Sequence, residues 1–258
     1  MDRPFPIRLS TDPIVESIFE LRFRTESGIA ASDLLPGLLF PTLKRNYPRI
    51  SKLPVSQIPK EIRSTDPSLA YVPSIRFEGD QFAIMIGDAV CSVSCRRPYV
   101  GWLAFREKIE ELSELIKNSE IVTSIERFSL KYVNLLEATN GVSGLSLLDS
   151  LVRLGPYDLA KQGGTIRTEI VENNTVSIVS VVSSAKVVIP GTFGVLEGLL
   201  VDIDSISQYP TAMPSDSFWS DFLSQLDTVR AKEKDLFFSL LAQATIDRYG
   251  PYYAGKPT

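Results

Sequence analysis

The sequence predicts an α+β fold in which an antiparallel sheet carries helices packed mainly on one face. Three observations lead there. Residues 15–24 and 125–137 alternate apolar and charged side chains with period two, the pattern of a half-buried strand. The pairs Gly79-Asp80, Gly87-Asp88 and Asn173-Asn174 interrupt apolar runs where hairpins turn. Two longer stretches, one central and one C-terminal, repeat apolar residues at helical spacing.

Taken in order, the first strand puts Val15, Ser17, Phe19, Leu21 and Phe23 on one face. Glu16, Glu20, Arg22 and Arg24 fall on the other, with Ile18 the exception. An irregular helix over 31–46 follows, interrupted by Pro36 and Pro41, and then a proline-punctuated basic connection. Residues 75–78, 82–86 and 89–95 make a meander. A helix over 100–117 follows it, with Trp102, Phe105, Ile109, Leu112 and Ile116 as its stripe. The strand over 125–137 faces Phe128, Leu130, Tyr132 and Leu136 one way and Arg127, Ser129 and Lys131 the other. A short helix over 146–154, a hairpin of 165–172 with 175–182, and a strand over 195–206 come next. Adjacent asparagines suit a type I′ turn in that hairpin. The chain is expected to close with one continuous helix over 215–249, striped by Phe218, Phe222, Leu226, Val229, Phe237 and Leu240. In that helix Lys232, Glu233, Lys234 and Asp235 interrupt the stripe. Phe237 and Phe238 cannot both face one core, because helix neighbours differ by about 100°. One of them is expected to meet a second element, and a homodimer through this helix is one way to supply it.

With 258 residues, 44% hydrophobic and 22% charged, the chain reads as one globular domain over 1–258. Both halves, 12–118 and 124–250, run strand, helix, antiparallel strands, helix, which suggests an ancient duplication. The absence of histidine excludes Ser-His-Asp and Cys-His catalysis, histidine-ligated zinc and imidazole acid–base chemistry. Cys91 and Cys95, four residues apart on one strand, lie too far apart for a disulfide and read as small buried hydrophobes. No signal-peptide core and no apolar stretch of membrane-spanning length is present, so a cytoplasmic protein is expected. No glycine pattern matches a phosphate loop, and no cofactor is expected.

Two charged constellations are candidate sites. Asp202 and Asp204 point the same way on a strand. They suit a hard cation such as magnesium, general acid–base work, or simple ion pairs with Arg127 and Lys131 across the sheet. Together with Glu16, Glu20 and Arg22 these residues are expected to share one polar sheet face. The stretch holding Lys44, Arg45, Arg49, Lys52, Lys60 and Arg63 is basic, but the net charge of −4 argues against nucleic acid as the partner. Tyr99, Trp102 and Phe105 fit a base-stacking platform by type, yet their spacing places them in a core.

Four stretches carry a family likeness: DPIVESIFELRF from Asp12, Tyr99-x-x-Trp102-x-x-Phe105, ERFSLKYVNLLE from Glu126, and LLVDIDS before the C-terminal helix. In these the chain resembles a sporadically distributed family of uncharacterised bacterial proteins of similar length. Asp12 stands where that family usually has Asn, and Lys131 where it usually has Arg. The resemblance implies no settled activity. The family's patchy distribution looks like that of mobile or defence-associated genes, such as toxin–antitoxin or phage-defence clusters. The expected function is therefore a non-catalytic intracellular binding or regulatory protein that recognises a protein partner or a small ligand. The alternatives are a metal-dependent enzyme acting on a phosphate ester through Asp202 and Asp204, or a nucleic-acid binder using the basic 44–63 segment.

Overall fold

The structure is a computed structural model that describes residues 4–26, 29–138, 144–188 and 194–254. Its first half comprises β1 (Arg8–Leu9), β2 (Ile14–Thr25), α1 (Ala31–Leu43), β3 (Arg49–Lys52), α2 (Lys60–Thr65), β4 (Ile75–Glu78), β5 (Phe82–Ile86), β6 (Val90–Arg96) and α3 (Trp102–Asn118). The second comprises β7 (Val122–Glu137), β8 (Arg153–Leu154), β9 (Tyr157–Asp158), α4 (Leu159–Gln162), β10 (Thr165–Glu172), β11 (Thr175–Val188) and β12 (Val195–Pro214). Then come α5 (Ser215–Trp219), α6 (Phe222–Leu240), α7 (Gln243–Arg248) and β13 (Pro251–Tyr252).

Nine strands form one antiparallel sheet in the order β10-β11-β12-β7-β2-β6-β5-β4-β3. Three strands on one side and β6, β5 and β4 on the other flank the central β2–β7 pair in mirrored order, each central strand lying beside the last strand of the meander that follows it, and β3 is an extra strand at one edge. The α+β class read from the sequence is therefore what the chain adopts. Alternation explains the layers. Phe19, Leu21 and Phe23 of β2 join Phe128, Leu130 and Tyr132 of β7 in a core closed by α1, α3, α5 and the first half of α6. A second core gathers Leu136, Val179, Val181, Val201 and Ile203 beneath Phe237, Phe238, Leu241 and Ile246. Both cysteines are free and buried on the core side of β6.

Several boundaries correct the sequence reading. The helix expected over 146–154 is a 3-10 turn, Gly144–Leu147, followed by the β8–β9 ribbon. In the β10–β11 hairpin only Asn173 takes a positive φ, 53°, so the turn is not of type I′, which needs two. The C-terminal segment is three helices rather than one. It breaks at Ser220–Asp221, and again where Leu241 pairs with Leu148 and the Ala242 N–H donates to the Leu147 carbonyl. These backbone bonds replace helical ones, so α7 turns away. Phe237 and Phe238 are both buried within the single chain. The second element that Phe238 meets is the N-terminal segment, where Phe5 stacks on it at 6.3 Å. The geometric premise for a homodimer through this helix is thereby removed.

Close approach of β12 to β7 depends on Gly198. A Cβ there would lie 2.3 Å from the Leu136 carbonyl oxygen, against backbone that cannot swing aside. Gly198→Ala is expected to cost about 1–3 kcal/mol through this overlap. A thermal melt identical to the wild type's would show that the two strands separate there without cost.

Candidate functional site

The polar sheet face is assembled as its alternation requires. Register pairs Asp204 with Lys131 and Ile206 with Ser129 between β12 and β7, and Glu20 with Ser129 and Arg22 with Arg127 between β2 and β7. Glu16, Glu20, Arg22, Arg127, Lys131, Asp202 and Asp204 thus share one side. Lys131 Nζ lies 2.8 Å from Asp202 Oδ2, Arg22 Nε donates to Glu20 at 2.7 Å, and Arg127 Nη2 reaches the same Glu20 oxygen at 3.4 Å. Crowding among these side chains buries Asp204 and pushes its carboxyl above the ordinary aspartate range, against hydrogen bonding from Ser129 and the charge of Lys131. Among the described residues no three acidic or cysteine side chains gather as a metal group. The Lys131–Asp202 pair is part-exposed, so its coupling in a double-mutant cycle is expected to be about 1 kcal/mol or less. A coupling of several kcal/mol by denaturant unfolding would contradict that.

The basic segment does not form a surface of one kind. Lys44 and Arg45 are exposed beyond α1. Arg49 Nη2 donates to the Gly79 carbonyl at 3.1 Å, and Lys60 faces Asp33 at 3.4 Å. Arg63 is buried. Its Nε and Nη2 donate to Asp88 at 2.8 and 3.0 Å, and its Nη1 donates to the Ile58 carbonyl at 2.7 Å. That fork ties α2 to the β5–β6 turn and is structural.

A third constellation lies on the opposite, helix-covered side of the sheet, at the seam between the two cores. A cavity of about 160 Å³ opens there. β7 supplies Tyr132 and Asn134 from its core-facing row, and Asp12 precedes β2. Tyr99 and Trp102 come from the entry to α3, while Arg230, Glu233 and Lys234 project from α6. Ile7, Arg8 and Leu9 cover one side, held by the β1–β13 clip and by Arg8 stacking 4.4 Å over the Tyr252 ring.

Arg230 is the centre of this cluster. Its guanidinium sits 4.4 Å over the Tyr132 ring and 5.8 Å from that of Trp102, and its Nη1 donates to Glu233 Oε2. Glu233 is 2% exposed, and burial pushes its carboxyl up to about 7 even though Arg230 pulls the other way. Burial likewise raises the Tyr99 hydroxyl to about 12, and Tyr99 and Tyr132 share a 3.2 Å hydrogen bond. Lys234, half-buried, is pushed below the ordinary lysine range by burial and by Arg230.

Reading the sequence as a stripe with a charged interruption missed Glu233. The signal was present, because Phe222, Leu226 and Val229 recur at steps of four and three, and the next step of four is Glu233. A carboxylate at a core-facing position needs a partner, and Arg230 one turn earlier is that partner.

No family model matches this chain, and a search of curated proteins returns no match.

Proposed function

We propose that this protein is a non-catalytic binding protein whose small ligand occupies the cavity beside Arg230. One observation carries the reading. Of the Arg230 N–H donors, only the one on Nη1 meets an acceptor among the described residues, and the rest of the fork lines an open cavity. The spare donors are not among the buried unpartnered atoms, so they open onto the cavity, and a guanidinium fixed there in an aromatic wall is suited to an incoming acceptor. The family resemblance adds support. Three of the stretches on which it rests contribute cavity residues: Asp12, then Tyr99 and Trp102, then Tyr132 and Asn134.

The other readings have less behind them. For a metal-dependent enzyme at Asp202 and Asp204, the Lys131 ammonium already occupies the position of a cation against Asp202, and Asp204 holds its proton more tightly than usual. For a nucleic-acid binder, the cations of the 44–63 segment are divided among an exposed helix end, a strand contact and a buried clamp.

The test is thermal stabilisation of the full chain by a panel of small acids, amines, amides, sugars and inorganic anions. At least one class is expected to raise the melting temperature in wild type and not in Arg230→Lys. Silence across the whole panel would reject the reading.

A further inference from the structure

The walls of the cavity limit what it can hold. At about 160 Å³ it far exceeds one water and matches the space that admits a single benzene ring. Ile14, Trp102, Phe237 and Phe238 make much of the wall apolar, so part of the occupant should be apolar too.

Its polar end is cationic. Arg230 is held 4.4 Å over the Tyr132 ring and by its bond to Glu233, and these two contacts restrict where the spare edge of its planar fork can go. Lys234 reaches the same cavity. The α3 helix begins there as well. Its N-cap, Gly101, offers no side-chain acceptor to the first-turn amides, and both Gly101 and Trp102 are in the wall. These three features favour an anion at one end of the space.

Arg8, Arg230 and Lys234 outnumber Asp12 and the half-titrated Glu233 on the lining, so the cavity is net positive near neutral pH and favours an anion. Its apolar walls favour an anion that carries an apolar body over bare phosphate.

We propose that the cavity binds a small monocarboxylate with a compact apolar or aromatic tail. The carboxylate lies on the free edge of Arg230, and the tail lies against Trp102, Phe237 and Phe238. This rests on the ligand reading above and names its chemical class.

The probes are benzoate, its neutral isostere benzamide, and inorganic phosphate, each titrated calorimetrically into the full-length protein. Benzoate is expected to bind at least tenfold more tightly than benzamide and not to be displaced by phosphate. Arg230→Lys keeps the charge but loses the fork, and is expected to remove the tenfold preference. The wild-type comparison needs no variant, so a poorly folded Arg230→Lys would not blunt the test. Equal binding of benzoate and benzamide would overturn the carboxylate assignment. So would displacement of benzoate by phosphate at lower concentration, or an undiminished preference in folded Arg230→Lys. If none of the three probes binds while another class in the wider panel does, the carboxylate proposal falls and the ligand reading stands. If nothing binds, both fall.

Discussion

Arg230→Met is expected to cost the fold about 3–5 kcal/mol, because it strands Glu233 without its cation at 2% exposure. Methionine keeps most of the arginine's length and packs against Tyr132 and Trp102, so lost volume is not the cause. The double variant Arg230→Met/Glu233→Gln removes both charges, and is expected to recover much of the loss. Dependence on pH gives an independent reading. In the native protein Glu233 titrates near 7, above its ordinary 4.5, with Arg230 and Lys234 facing it from α6, Tyr132 from β7, Tyr99 from the entry to α3, and Asp12 from the start of β2. Between those values the folded state binds more protons than the unfolded one, so the stability this group confers is present below about 4.5 and is lost as pH rises through about 7. Glu233→Gln is expected to flatten that slope. In Arg230→Met the decline should run on to higher pH, since the pull of the guanidinium on the proton is gone and the native carboxyl keeps it longer. Denaturant midpoints at several pH values measure all three. A stability rising with pH across this window in the wild type, or equal midpoints for Arg230→Met and wild type, would show that the pair is not a buried charged contact.

How much of this was written locally in the chain differs from element to element. β2 and β7 were legible because each has one face on a core and one on polar neighbours, and period two records that directly. The shared side of Glu20, Arg127, Lys131, Asp202 and Asp204 followed from the same alternation. The C-terminal helix was misread for the opposite reason. No glycine or proline marks its breaks, and the second is made by backbone bonds to Leu147 and Leu148, nearly a hundred residues away. The cavity was the hardest part to see. Its walls come from β1, the approach to β2, β7, the start of α3 and α6, and only the tertiary fold brings them together. The one local clue was an acidic residue falling on an otherwise apolar stripe.

Phe222→Ala is the second large effect, and it tests how α6 is anchored ahead of the cavity. Phe222 opens that helix at 2% exposure. Its ring lies 5.7 Å from Phe19 of β2, 5.5 Å from Phe128 of β7, 5.0 Å from Phe218 and 5.6 Å from Trp219 of α5. The side chain therefore joins both central strands to two helices, and deleting it removes aromatic edge contacts as well as buried area. The helices cannot collapse onto the gap, because Leu226 and Val229 hold α6 on the same core. Loss of about 3–5 kcal/mol is expected, with a fall in melting temperature of roughly 10 °C. Leu103→Ala supplies the contrast. Leu103 is 76% exposed on α3, and its removal is expected to change stability by no more than about 0.5 kcal/mol. Arg230 stands eight residues after Phe222 on the same helix, so a loosened anchor should also weaken ligand binding without altering a cavity residue. A Phe222→Ala protein that melts within about 1 kcal/mol of wild type would mean that the Phe222 ring is not the tie between α6 and the two central strands.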